Sequence, residues 1–169
     1  ANLDGRAAVI HFFHCSENRL HVSFQLDDDR SRNWILTRTA DTVQLKHDHR
    51  HIDGTEDQVS QYGGDAPKPG LANRQIFWAD AHTAAILPER QDNFWFLEIS
   101  EGRSLQYGVH WPTHGHSARF EFDLSAPIPP PDAQGDGRVF IIPGQSELAG
   151  KRPKLNDCRN LSTARSATG

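Results

Sequence analysis

The chain has 169 residues, 36% of them hydrophobic and 24% charged, with a formal net charge of −4. Ala1 to Ser125 carries 12 Lys and Arg against 18 Asp and Glu, and lacks the clustered cationic face that gripping nucleic-acid phosphates requires. No apolar run approaches the ~18 residues of a membrane-spanning helix, and the length suits a single folded domain with a real core.

Ala7 to Phe13 is rich in aromatic and β-branched residues and reads as the first strand. After a polar turn at Cys15-Ser16-Glu17-Asn18, Leu20, Val22, Phe24 and Leu26 alternate with His21, Ser23 and Gln25, the pattern of a half-buried strand. Asp27-Asp28-Asp29-Arg30 is a turn, and Trp34 to Arg38 the next strand. From Thr42 to His51 a strand sends alternate residues to opposite faces. Val43, Leu45, His47, His49 and His51 then share one face, apolar at one end and imidazole-rich at the other. Thr42, Gln44, Lys46, Asp48 and Arg50 take the opposite face, expected to be wet. Gly54 to Ala72 is a long Gly/Pro/Asp-rich connection, with turn signals at Asp53-Gly54 and Gly63-Gly64-Asp65, and loops of that length are usually functional or mobile.

Arg74 to Trp78 is a further strand. Asp80 caps one short helix, Ala81 to Leu87, which Pro88 stops. Asn93 to Ile99, Leu105 to Trp111 and Ala118 to Leu124 complete the strands, with Glu101-Gly102 turning the chain between the first two. Past Ser125, Pro127, Pro129, Pro130 and Pro131 read as a polyproline linker. Val139 to Ile142 can add a strand, and disorder is expected beyond Pro143. The fold expected is an antiparallel β-barrel (lipocalin-like, up-and-down) or a barrel-like sandwich of about eight strands with one short helix. The barrel domain covers 1–125, and 126–169 is a Pro-rich linker and largely flexible tail.

Ten histidines are the compositional outlier. Protonating all of them moves the formal charge from −4 to +6, so charge-driven association should change between about pH 7 and 5. His47 and His51 lie roughly 13 Å apart along a strand, too far to share one ion held at ~2.0–2.1 Å from each nitrogen. An adjacent pair can chelate, with help from His11, Glu56, Glu98, His110, His114 or His116. Phe94, Phe96 and Glu98 share one face of their strand, and Trp95 and Leu97 the other, so one of two apolar faces can line a ligand cavity. A buried Glu98 would need an arginine or histidine partner. The ligand-binding candidates are His47, His49, His51, Glu98 and Trp95. The metal-ligand candidates are His49, His51, Glu56, His110 and His116, for a divalent transition metal.

No nucleophile elbow, phosphate-binding glycine loop, dinucleotide fingerprint or H-E-x-x-H motif is present, so no catalytic residue is assigned. Cys15 and Cys158 match no metal-binding spacing; one disulfide and two separate thiols both fit.

His49-Arg50-His51, with Glu56 and Gly63 following at intervals of four and six intervening residues, resembles the first cupin motif. That resemblance implies a divalent metal held by His49, His51 and Glu56 inside a small β-barrel. Val43 stands where the family carries a glycine. A longer set resembles a group of small, uncharacterised, usually exported bacterial β-rich proteins: His49 to Gly54, Ser60 to Gly64, Ala79-Asp80-Ala81 through Pro88, Asn93-Phe94-Trp95 and Phe120 to Leu124. It implies export and a single β-rich domain, and carries no assigned activity. The chain starts Ala1-Asn2-Leu3 and holds no methionine, which fits both a mature form after signal removal and an artificially chosen start; with the export that the resemblance implies, a periplasmic or secreted location is expected.

Three functions follow as expectations. The first is a barrel that binds a small-molecule ligand or ion at a histidine-rich mouth, since barrels of about eight strands have room for one such ligand. The second is a cupin-like metalloenzyme. The third is an inert structural or interaction domain.

Overall fold

The structure is a computed structural model, in which residues 6–67, 71–126, 128, 129, 164 and 165 are described. Nine antiparallel strands form a nearly closed barrel. They are β1 (Ala8–Cys15), β2 (Arg19–Leu26), β3 (Asp29–Arg38), β4 (Val43–His49), β5 (Tyr62–Asp65), β6 (Arg74–Ala79), β7 (Phe94–Ser100), β8 (Ser104–Trp111) and β9 (His116–Asp123). Each pairs with the next in sequence, an up-and-down order. A two-residue strand, β10 (Ala164–Arg165), pairs with β1, placing Val9 opposite Arg165 and Ile10 opposite Ala164. It also lies beside β9, where the sheet comes round to its own start. Pro127, Pro130, Pro131, Val139 to Ile142 and Cys158 lie outside the described residues.

The alternation read from the sequence selects the inner face. Ile10, Phe12, Val22, Phe24, Leu26, Trp34, Leu45, Phe77, Trp95, Leu105, Tyr107, Val109, Phe120 and Phe122 are buried in one cluster inside the barrel. Aromatic contacts bind neighbouring strands and opposite walls together. Phe24 stacks on Trp34 at 5.0 Å between ring centroids, and Trp34 meets Tyr107 at 4.3 Å. Ring pairs at such separations contribute about 0.5–1.5 kcal/mol beyond area burial.

The helix α1 (Ala81–Ile86) forms as expected. The Asp80 side chain accepts the Thr83 N–H at its N-terminus, and a 3-10 turn begins at Pro88. Thr83 is fully buried and ties the helix to β5: its hydroxyl accepts the Gly63 N–H at 2.7 Å and donates to the Gly63 carbonyl at 2.8 Å. Lys46 of β4 bonds the other oxygen of Asp80.

Two expectations need correction. Gly63-Gly64-Asp65 is not a turn but belongs to β5, which divides the long connection. Its glycines serve close approach: a Cβ on Gly63 would sit 2.0 Å from the Leu45 carbonyl oxygen, and one on Gly64 1.6 Å from that of Trp78. Glycine thus admits two flanking backbones that any side chain would displace. The outer face of β4 is not wet throughout either. Asp48 is buried under Arg50 and Gln61, whose Nε2 donates to it at 2.7 Å. Gln61 holds a left-handed φ of 58°, fixed by its N–H donating to the His47 carbonyl at 2.6 Å.

Candidate ligand-binding site

Up-and-down topology gathers alternate connections at one end of the barrel. The β2–β3 turn, the β4–β5 connection, the α1 segment between β6 and β7, and the β8–β9 turn all lie at the same mouth. A cavity of about 870 Å³ opens there, within the range of small-molecule sites. Its floor is aromatic, built by Phe24, Trp34, Trp95, Tyr107 and Phe120. Its rim carries Arg32, His49, Tyr62, Glu89, Arg90, Asn93, His114, His116 and Arg119.

His47 belongs to the floor and is fully satisfied. Its Nδ1–H donates to the Tyr62 carbonyl at 3.1 Å, which leaves Nε2 to accept the Tyr107 hydroxyl at 2.8 Å. Burial pushes the imidazole pKa down to about 3, so it is neutral at physiological pH. The Tyr62 ring stacks on it at 4.6 Å with an interplanar angle of 9°. With both nitrogens engaged, His47 is a framework residue.

His49 stands one step nearer the mouth, opposite Arg32 on β3. Its Nε2 and the Tyr62 hydroxyl are hydrogen-bonded at 3.0 Å. Desolvation, followed by the nearby Arg32 guanidinium, lowers its pKa. Burial pushes the Tyr62 phenol up to about 12. A neutral imidazole and a phenol hold one proton each for hydrogen bonding, and their mutual bond uses one. Whichever tautomer forms, the pair keeps one N–H or O–H to offer a ligand.

Asn93 precedes β7 and shares the inward parity of Trp95. Only 1% of its surface is exposed, yet both its amide nitrogen and its amide oxygen lack a hydrogen-bond partner among the described residues. Its backbone is anchored on both sides: the N–H donates to the Arg90 carbonyl at 3.1 Å, and its carbonyl accepts the Ala79 N–H at 3.0 Å. An unsatisfied buried polar group costs about 1–3 kcal/mol. The fold therefore holds a carboxamide unpaired against the cavity.

The remaining sequence candidates are dispersed. His51 lies past β4 with a half-exposed side chain, its Nδ1 3.9 Å from Asp57. Glu56 accepts from Ser60 and Gln61 and faces Arg50, outside the barrel. His110 is on the outer face of β8, its ring 4.9 Å from that of Phe94. Glu98 also faces outward, 3.8 Å from Arg74, so it does not share the cavity with Trp95. His11 stands on the outer face of β1. The set His49, His51, Glu56, His110 and His116 is therefore not assembled, because β4 ends at His49 and leaves His51 and Glu56 in the following connection, while alternation turns His110 to the outer face of β8. Among the described residues no three His, Cys, Asp or Glu side chains are grouped to hold a metal ion.

Arg32, Tyr62, Arg90, Asn93 and Tyr107 were not singled out from sequence. Arg32 and Asn93 carry a readable signal, since each shares inward parity with a tryptophan two residues on. Tyr62 is hidden by the glycines that follow it. Comparison of the chain with protein-family models, curated proteins and solved structures gave no significant match. The functional reading accordingly rests on the geometry of the chain itself.

Proposed function

We propose that this protein binds one small organic ligand in the mouth of its barrel. The observation that carries the proposal is Asn93, a buried carboxamide with both polar atoms unpartnered, set in the wall of an 870 Å³ cavity. Buried polar groups in native proteins are hydrogen-bonded, and the exceptions call for an explanation. A ligand that accepts from Nδ2 and donates to Oδ1 supplies one. The aromatic floor provides apolar contact, and the His49–Tyr62 pair adds a donor at the rim.

The side-chain amide signals of Asn93 in a nitrogen–proton correlation spectrum, assigned by their loss in Asn93→Leu, report on the cavity. Titration with a panel of small aromatic and aliphatic compounds should shift them saturably for at least one, at one site per chain. A panel that never moves them, while moving surface signals such as those near Trp78, would overturn the reading.

A further inference from the structure

The mouth is charged against the trend of the molecule. The chain is acidic overall, yet among the described residues the cavity is lined by Arg32, Arg90 and Arg119 against the single carboxylate of Glu89. Arg32 also binds Asp29, whose oxygens are further occupied by the Ser31 N–H and hydroxyl. Glu89 approaches Arg90 at 3.6 Å. Three guanidinium groups facing two carboxylates leave an excess suited to one negative charge. A guanidinium has five N–H donors, so the Asp29 contact does not exhaust Arg32.

The positions converge. Arg32 faces His49 across the β3–β4 ladder. Both Arg32 and Arg90 are close enough to Tyr62 to act on its phenol electrostatically, and the Arg90 backbone carbonyl accepts the Asn93 N–H, which sets the two residues side by side. Two guanidinium groups, a free carboxamide and the leftover donor of His49–Tyr62 therefore share one side of the rim. Below them the floor is aromatic: Trp34 packs against Tyr107 at 4.3 Å between centroids, and Tyr62 against Trp95 at 5.8 Å.

Resting on the ligand-binding reading above, we infer that the ligand is a compact aromatic monocarboxylate, its carboxylate held by Arg32, Arg90 and Asn93 Nδ2 and its ring seated over the aromatic floor. A planar carboxylate matches the guanidinium fork in two parallel bonds. Aromatic rings in the floor favour an aromatic body over an alkyl chain, because offset and edge-to-face aromatic pairs gain beyond area burial.

Calorimetric titration with three probes tests this on the full chain. Indole-3-acetate is the aromatic anion, indole-3-acetamide its neutral counterpart and octanoate the aliphatic anion. Indole-3-acetate should bind one per chain, at least ten-fold more tightly than either of the others. Arg32→Gln and Arg90→Gln should each weaken it by roughly ten- to a hundred-fold, the range for a lost charge-assisted hydrogen bond. Indole-3-acetamide affinity should fall by less than that of indole-3-acetate, and the circular dichroism spectrum should stay unchanged in both variants. Equal affinity for acetate and acetamide would overturn the anion assignment while leaving a ligand-binding mouth. Octanoate binding as tightly would overturn the aromatic assignment alone. If no probe binds and nothing in the wider panel moves the Asn93 amide signals, both readings fall together.

Discussion

The floor and the mouth of the barrel are both polar at heart, and they treat polarity in opposite ways. In the floor, His47 spends both ring nitrogens on Tyr62 and Tyr107, and the tyrosine hydroxyl is used in the same bond. At the mouth, Asn93 is as deeply buried and spends neither of its amide atoms. Burial alone therefore does not distinguish framework from site; hydrogen-bond satisfaction does. The floor is organised for stability, and the mouth holds donors and acceptors in reserve at a cost to stability.

Among single substitutions at neutral pH, removing the Tyr107 hydroxyl gives the largest expected effect on stability. Tyr107→Phe leaves His47 Nε2 buried without a donor and should lower unfolding free energy by about 1–3 kcal/mol. Chemical denaturation measures it, and a loss below about 0.5 kcal/mol would dissolve the contrast between the regions.

Acid sharpens the same contrast. His47 and His21 have folded pKa values of about 3 and about 4, lowered first by burial, against an ordinary value of 6.5. Between these limits the unfolded chain binds more protons than the folded one, so stability falls as pH drops. The stabilisation is fully present above pH 6.5, and loss proceeds toward pH 3 for His47 and pH 4 for His21. The limiting slope is about 1.4 kcal/mol per pH unit for each fully displaced proton. Denaturant midpoints measured from pH 7 to 4 should follow it. Replacing His47 with Gln should remove one histidine's share of the slope.

The smallest effect is expected at Asn93. Asn93→Leu removes an amide that makes no side-chain hydrogen bond, so stability should stay within about 0.5 kcal/mol of the parent or rise. The same denaturation experiment reads it, and a loss comparable to that of Tyr107→Phe would mean that Asn93 belongs to the framework.

Much of the fold was legible in the sequence because strand periodicity is a local property. Leu20 to Leu26 and Ala118 to Leu124 declare their inner faces by alternation, and Asp80 and Pro88 bracket the helix by chemistry confined to its ends. Strand β5 was not legible. Glycines at 63 and 64 signal a turn when read alone, and their purpose appears only beside the Leu45 and Trp78 carbonyls. The histidine alternation correctly joined His47 and His49 on one face. It could not show that Tyr107, 60 residues away in sequence, would satisfy the first of them.

By itself, then, the sequence determined a β-rich chain, the inward faces of most strands and the helix boundaries, since each depends on neighbours within a few residues. Only the tertiary structure decided which polar residues became framework and which became site. That choice depends on what each side chain meets across the barrel. Arg32, Arg90 and Asn93 come from separate elements brought to one mouth by the up-and-down path. His110 was sent outward by the same alternation that carried His47 and Trp95 in, while His51 and Glu56 fell in the connection beyond the end of β4.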